Sequence, residues 1–558
     1  MSPLASRKER PWWRDAVTYQ IYPRSYADSN GDGIGDVEGI RSRLPYLKSL
    51  GIDAIWISPW YPSPQHDHGY DVSDYMDIEP DYGTLAQAEQ LIKEANEVGI
   101  KLIVDIVPNH TSSDHKWFQA ALKAAPGSPE RNRYIFREGK GPNGDLPPNN
   151  WEAVFGGCAW ERVIEADGKP GQWYLHLFAV EQPDLNWENP EVVAHLEDVL
   201  KFWLDRGVAG FRIDVAHGMF KEKGLPDIRK DPAASMLGTE HKPFWDQEGV
   251  HDIYRSWRKI LDSYPGDRMA VAEAWVSPSE RIARYVRSDE LQNSFNFEML
   301  TTLWDAKEIK TKINNSIDAL EEVGAPTSWV FNNHDVVRSV DRLDLGLTNH
   351  GDTTLSRQGD PKKLNIARGT LRARSAALMT LALPGGTYLY QGEELAVPEV
   401  RDIPEDRLTD PRWKMSGYSD RGRDGCRVPM PWTSNPAGAF GFSTNASLKP
   451  EQAWLPQSPW WGTYAVDTQD GVEGSTLSMY RKALAIRKGE EGLGDGPMEW
   501  IEAGKDVVAF ERPGDFACYI NFGAPIQLPS NSQILIASGP VTGHTLPTDT
   551  AVWVRLVS

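Results

Sequence analysis

The chain of 558 residues and 62.5 kDa carries 40% hydrophobic and 25% charged residues, enough at roughly 150 residues per domain for three or four structural units. That size excludes a small disulfide-stapled scaffold, and the composition excludes long disordered tracts. With 79 acidic against 59 basic residues the formal net charge is -20, a field that repels phosphate backbones and anionic lipid surfaces, so no nucleic acid and no membrane partner is expected.

Met1 to Asp15, MSPLASRKERPWWRD, lacks the apolar stretch of a signal peptide, and no run of about 18 apolar residues offers a membrane span. Cys158, Cys426 and Cys518 are too few and too scattered for a disulfide framework or a zinc-ligand spacing. A cytoplasmic location is the expectation. Tryptophan, at 22, outnumbers tyrosine at 19 and phenylalanine at 16, which offers flat faces for stacking on sugars or bases, or simply bulk for a core.

In chain order, strands are expected at Ala16–Tyr22, Ala54–Ser58 and Leu102–Val107, then at Ala209–Asp214, Met269–Glu273, Trp329–Asn332 and Thr387–Tyr390. Between the second and third, Leu85, Ala88, Leu91, Ile92, Ala95 and Val98 recur at helical spacing, and Gly99 stands where a helix-ending glycine belongs. Repeated βα units point to an α/β fold, a (β/α)8 TIM barrel, although an open doubly wound sheet has the same periodicity. Residues 111–173 break the rhythm with Pro-, Gly- and Asn-rich stretches such as GKGPNGDLPPNNW, the mark of an inserted loop-rich subdomain. From Gly489 onward short alternating runs, VVAFER, FACYINF and AVWVRL, announce a C-terminal antiparallel β-sandwich. The expected division is a barrel over 1–110 and 174–488, an insert over 111–173 and a β domain over 489–558.

In GFRIDV, Arg212 and Asp214 share one face of a strand because side chains alternate with period two. At the C-terminal end of a barrel strand such a pair faces the mouth, where active sites sit. A structural ion pair would look the same, but the pattern recurs. KLIVDIVPNH supplies Asp105, Asn109 and His110, RMAVAEAW supplies Glu273, and SWVFNNHD supplies His334 and Asp335. Glycoside cleavage needs one carboxylic acid to protonate the leaving oxygen and a second carboxylate facing the anomeric carbon. The absence of HExxH and of a Gly-rich phosphate loop disfavours zinc proteolysis and nucleotide chemistry.

At these residues the chain resembles glycoside hydrolase family 13, the α-amylase family, in its α-glucosidase and oligo-1,6-glucosidase branch. DIVPNH, GFRIDVAHG, EAW and NNHD stand in the family's order, and QPDLNW at Gln182–Trp187 is similar to the fifth motif of the branch. Further likeness runs through YQIYPRSYADSNGDGIGD, GYDVSDY, PPNNWEAVFGGCAW, WYLHLF, LYQGEEL and RVPMPW. The resemblance implies a retaining exo-acting α-glucosidase on short α-glucosides, with no organic cofactor. Asp214 would be the nucleophile, Glu273 the general acid and then base, and Asp335 the stabiliser of the transition state. Arg212 beside Asp214 is expected to keep it ionised, and the apolar run before Glu273 to raise that acid's pKa.

By the same resemblance His110 and His334 would hydrogen-bond the glucose, and Tyr70 would stack beneath it. Phe178 would wall the pocket, and Asp67 with Arg427 would grip the non-reducing end, with Arg423 a competitor for the arginine. Asp105 is expected to support Arg212. Val215 accompanies α-1,6 cleavage in this branch, where Thr or Ala accompanies α-1,4, but Ala216 and His217 depart from the usual Ile-Asn. A transglucosylase, a sucrose- or trehalose-acting enzyme and a non-catalytic family member stand as alternatives.

One loop carries a separate pattern. In Asp28–Asp36, DSNGDGIGD, oxygen donors fall at positions 1, 3, 5 and 9, with the Ile34 carbonyl at 7 and Gly33 at 6, as in an EF-hand, but position 12 is Gly39 in place of Glu. The branch has a structural divalent ion here. Asp28, Asn30, Asp32, Ile34 and Asp36 would hold it, Ca2+ first and Mg2+ second.

Overall fold

The structure, a computed structural model, describes residues 9–165, 167–228, 242–347 and 359–557. Most of the N-terminal segment read for a leader lies outside them. Eight parallel strands form the central sheet. The first three are β1 (Val17–Ile21), β2 (Ala54–Ile57) and β3 (Lys101–Ile106). The insert then contributes β4 (Phe136–Arg137), β5 (Trp160–Ile164) and β6 (Pro170–Leu175) to a sheet of its own. The central sheet resumes with β7 (Gly210–Ile213), β8 (Met269–Ala272), β9 (Asn293–Ser294), β10 (Ser328–Val330) and β11 (Gly386–Tyr390).

The order β10-β11-β1-β2-β3-β7-β8-β9 joins the first strand to the last. The remaining gap is bridged where Asn296 N–H donates to Ser328 O at 3.1 Å and Asn296 pairs in parallel with Trp329. The sheet is therefore a barrel, and the open-sheet alternative falls. β9 has no counterpart among the seven expected strands: two polar residues carry neither a β-branched run nor an alternation.

The helix Leu85–Glu97 shows how local sequence feeds the barrel. Thr84 and Gln87 form a reciprocal capping box, and Ala88, Leu91, Ile92 and Ala95 face the core. Gly99, at φ +82°, turns the chain into β3.

The insert is more ordered than its composition suggests. Its strands form a three-stranded antiparallel sheet, β4-β6-β5, over a small core that includes Trp151, Trp160, Leu175 and Leu177. The strands are short and separated by Gly- and Pro-rich turns, which hides them from periodicity.

The C-terminal part contains β12 (Glu499–Trp500), β13 (Val507–Arg512), β14 (Phe516–Asn521), β15 (Ile526–Gln527), β16 (Ser532–Ala537), β17 (Thr545–Leu546) and β18 (Thr550–Leu556). Five strands form one antiparallel sheet, β12-β13-β14-β18-β16, and the second layer is only the ribbon β15-β17, whose Leu546 packs with Val552 and Val554. The sheet is anchored to the barrel helix Ile366–Ala382, where Trp553 Nε1 donates to Leu378 O at 2.9 Å. All three cysteines are free, and no helix among the described residues is long and apolar enough to cross a membrane.

Beneath the mouth, the loops after β10 and β11 are tied by Glu399, 4% exposed, which accepts from Arg338 N–H at 3.0 Å. Burial, helped by Asp341, pushes its carboxyl up to about 8 against the Arg338 amide. A raised folded-state pKa keeps a proton that the unfolded chain releases above about 4.5. Its stabilising share is thus whole below that pH and lost as pH rises through about 8. Melting temperature should fall between pH 5 and 9, and Glu399→Gln, which keeps the acceptor, should flatten the stability slope by up to about 1.4 kcal/mol per pH unit. An unchanged slope in thermal melts across that range would refute this.

Candidate active site

The barrel register brings the strand-end carboxylates together. Asp105 on β3 lies opposite Arg212 on β7, and Ile213 lies opposite Ala272 on β8, so Asp214 and Glu273 emerge side by side. Arg212, 1% exposed, reaches all three acids. Its Nη1 lies 3.0 Å from Asp105 Oδ1 and 2.6 Å from Asp214 Oδ1, and its Nη2 lies 2.8 Å from Glu273 Oε2. Asp105 thus sits under Arg212.

Glu273 is held from two further directions. Trp275 Nε1 donates to its Oε1 at 3.0 Å, and Val215 N–H donates to its Oε2 at 3.0 Å. That second bond needs a turn which a β-branched residue rarely makes, since Val215 has φ +43°. Strain of about 1–3 kcal/mol stored here aims the amide at the acid.

Three carboxylates around one guanidinium leave excess negative charge. Burial is the main reason Asp214 is held well above the usual carboxylate range. Arg212 opposes this, and the charges of Glu273 and Asp105 reinforce it. Burial likewise pushes Asp105 up to about 7 despite Arg212. Against the expectation that Arg212 beside Asp214 keeps it ionised, burial and the two neighbouring acids push its carboxyl upward.

Asp335 behaves oppositely. Burial would raise it, yet its carboxyl is held well below the usual range by His334, Arg423 and Arg427. His334 is itself driven neutral, mainly by burial, so the two arginines carry the effect. Arg423 Nη1 lies 2.9 Å and Arg427 Nη2 3.0 Å from Asp335 Oδ1. Arg423 also reaches Asp67 Oδ1 at 2.7 Å and Asp410 Oδ2 at 2.6 Å. The ion pair to Asp67 is thus made by Arg423. Arg427 instead donates from Nε to His334 O at 2.8 Å.

The aromatic and histidine candidates line the same mouth. The Tyr70 ring is parallel to His334, with centroids 5.1 Å apart, and its hydroxyl donates to Asp105 Oδ2 at 3.2 Å. Phe178 lies across His110 at 5.2 Å, and burial pushes that histidine down to about 4.

Residues not singled out in the sequence also serve the site. Gln20 holds His334 Nδ1 at 2.7 Å, Gln182 donates to Asp67 Oδ2 at 3.2 Å, and Trp275 stacks on Phe297 at 4.0 Å. Gln20 was visible as a polar residue inside an apolar strand, and Gln182 heads one of the quoted motifs.

The Asp28–Asp36 loop is drawn closed by its own amides. Gly31 and Gly33 N–H donate to Asp28 at 2.6 and 2.8 Å, Ile34 N–H donates to Asp32 at 2.8 Å, and Asn30 Nδ2 donates to Asp32 at 3.0 Å. Asp36 accepts from Ser29 and caps the helix Val37–Ser42 through Gly39 N–H. The all-oxygen donor set suits a hard divalent cation. As arranged, however, no three acidic, histidine or cysteine side chains among the described residues converge as a metal site.

Residues 20–496 match the family model "Alpha amylase, catalytic domain". The chain is 37% identical to the "Probable alpha-glucosidase" of Rhizobium meliloti (strain 1021) over 96% of its length and 93% of that protein. It is also 37% identical to the "Oligo-1,6-glucosidase" of Parageobacillus thermoglucosidasius, over 86% and 84%. Among solved structures, the α-glucosyl transfer enzyme XgtA superposes with a TM-score of 0.84 at 33% identity, covering 98% of this chain and 99% of that one. The trehalulose synthase MutB of Pseudomonas mesoacidophila MX-45 superposes at 0.81 and 29% identity, covering 98% and 99%. The carboxylates ringed at the barrel mouth and the match over most of the chain lead to one conclusion: this protein belongs to the α-amylase family, glycoside hydrolase family 13.

Proposed function

We propose that the protein is a retaining exo-acting α-glucosidase that releases glucose from the non-reducing end of short maltose- or isomaltose-type oligosaccharides. The observation that carries this reading is the Arg212 clamp, which keeps Asp214 and Glu273 within reach of one guanidinium. That closeness suits a retaining pair, whose carboxyl groups stand about 5–5.5 Å apart. The exo character is supported by the Asp67–Arg423–Asp335 tie, which joins the carboxylate expected to grip the non-reducing end to the acid at the site.

In this reading Asp214 attacks the anomeric carbon while Glu273 gives its proton to the leaving oxygen, and a glucosyl ester forms on Asp214. Glu273 then takes a proton from water, which opens the ester with net retention. The attack requires Asp214 to be bare once the glucoside is bound, with Arg212 as its counter-charge. Asp335, kept ionised by the arginines, accepts hydrogen bonds from sugar hydroxyls, and His110, His334, Tyr70 and Phe178 shape the pocket around that ring.

A second reading, transfer to a sugar acceptor, is supported by Trp275. It is 37% exposed beside Glu273 and backed by Phe297, an aromatic face on which an acceptor ring can stack. The non-catalytic alternative is weakened because all three acids are present and assembled.

Asp214→Asn should lower kcat/KM at least about 10^3-fold on any substrate turned over; near-normal activity would end the mechanism. A product time course on concentrated maltose and isomaltose, supplied separately, should yield glucose, and the faster substrate gives meaning to Val215. Accumulating trisaccharide would make the enzyme a transglucosylase in practice, and turnover of neither would move the substrate to sucrose or trehalose.

We also propose a structural divalent ion at Asp28, Asn30, Asp32, Ile34 and Asp36, on the spacing of the donors. Dialysis against EDTA should then lower the melting temperature, with Ca2+ restoring it. An unchanged melt would mean that the loop's own amides suffice.

A further inference from the structure

His110 is gripped through both ring nitrogens. Nδ1 lies 3.1 Å from Asn109 Nδ2, and Nε2 lies 3.1 Å from the Tyr70 carbonyl and 3.1 Å from Gln182 Nε2. A neutral imidazole has one N–H and one lone pair, so the neighbours decide which nitrogen carries the proton.

The deciding group lies one residue further out. The ammonium of Lys221 is 2.8 Å from Asn109 Oδ1 and 2.7 Å from Asp184 Oδ2, and it also donates to the Gly218 carbonyl. Its side chain is 2% exposed and that of Asp184 0%, so the pair is sealed from bulk solvent. An ammonium only donates, and so the Asn109 atom facing it must be the amide oxygen. The Asn109 NH2 then gives one hydrogen to Asp184 Oδ2 at 3.0 Å and the other to His110 Nδ1. A nitrogen facing a donor must accept, which leaves the ring proton on Nε2, where the Tyr70 carbonyl receives it.

Gln182 does not upset this balance. Its oxygen accepts from Ala179 N–H at 2.9 Å, and its two amide hydrogens go to Asp67 Oδ2 at 3.2 Å and the Tyr70 carbonyl at 3.3 Å. Both hydrogens thus have acceptors other than His110, and the 3.1 Å approach of the two nitrogens is a contact of two donors, each turned to an oxygen, and not a hydrogen bond.

We propose that Lys221 is a positioning residue that fixes His110, through the Asn109 amide, as the Nε2–H tautomer, so that the ring presents no lone pair to a bound sugar. The sugar contact rests on the functional reading above, whereas the tautomer does not. The link runs across the architecture: Lys221 follows β7, Asn109 follows β3, and Asp184 belongs to the QPDLNW segment after the insert.

The test is the long-range 1H–15N spectrum of the histidine-labelled, ligand-free enzyme, with the His110 signals identified by their loss in His110→Gln. The native enzyme should show the Nε2–H pattern alone. Asn109→Asp puts a carboxylate against Nδ1 and should bring a proton onto that nitrogen. Lys221→Met frees the amide to turn and should give both tautomers, with KM raised roughly tenfold and kcat less affected. Lys221→Gln keeps a donor on Asn109 Oδ1 and should restore the native pattern. Nδ1–H in the native enzyme, or Lys221→Met with a pure Nε2–H signal and native KM, would overturn the proposal. If Lys221→Met does not fold, Asn109→Asp decides, since it keeps the Lys221–Asp184 pair, and an unmoved proton there is equally fatal. Inactivity on every glucoside would overturn the functional reading and leave the tautomer standing.

Discussion

A buried guanidinium, that of Arg212, organises the mouth of the barrel. It gathers carboxylates from three successive strands, Asp105, Asp214 and Glu273. Such a group is costly to desolvate, and removing it would leave three buried carboxylates without a counter-charge, at about 3–5 kcal/mol. The arrangement persists because strand register, set by apolar packing far from the mouth, gives these side chains nowhere else to go. Closure of the barrel through the two-residue β9 and the Asn296 bridge keeps that register in a ring. The chemistry at the rim and the packing of the barrel are therefore one constraint.

Opposite Arg212, Arg423 and Arg427 converge on Asp335, and the two sides of the mouth reach opposite electrostatic ends. Around Arg212 three acids share one cation, so burial prevails and pushes the carboxyls of Asp214 and Asp105 upward. Asp335 instead accepts from two arginines, one of them shared with Asp67 and Asp410, and its side chain is more open, so its carboxyl is held low. The count of charges within hydrogen-bond reach separates a carboxyl group able to hold a proton from one that is permanently an acceptor. A glycosidase needs both kinds side by side.

Much of this was readable in the sequence where chemistry coincides with periodicity. The strands bearing Asp105, Arg212 and Glu273 are apolar runs ended by charge, and alternation puts those charges on the inner face. The helix Leu85–Glu97 was legible because cap, apolar face and terminal glycine agree. What escaped was set by long-range contact: β9 and the insert's short strands exist because neighbours offer an edge. The choice of Arg423 over Arg427 for Asp67 depends on how a loop folds back over more than 350 positions in sequence. The upward push on Asp214 escaped for a related reason, since sequence shows Arg212 two residues away but not the burial or the two acids brought in from other strands.

The same reasoning extends from charges to hydrogen-bond polarity. A sugar ring presents hydroxyls that donate and accept alike, so a pocket discriminates among poses only if its own groups are fixed as one or the other. Asp335 is fixed as an acceptor by the charges of Arg423 and Arg427. His334 takes its setting from Gln20, whose amide faces its Nδ1, and His110 takes its own from Asn109, itself set by Lys221. One amide stands within β1 and the other just past β3, and neither has to touch the sugar. The selectivity of the mouth thus depends on a layer of buried amides and charges whose orientation is settled before a substrate arrives, which is the condition for hydrogen bonds to form without reorganisation when the glycosidic bond breaks.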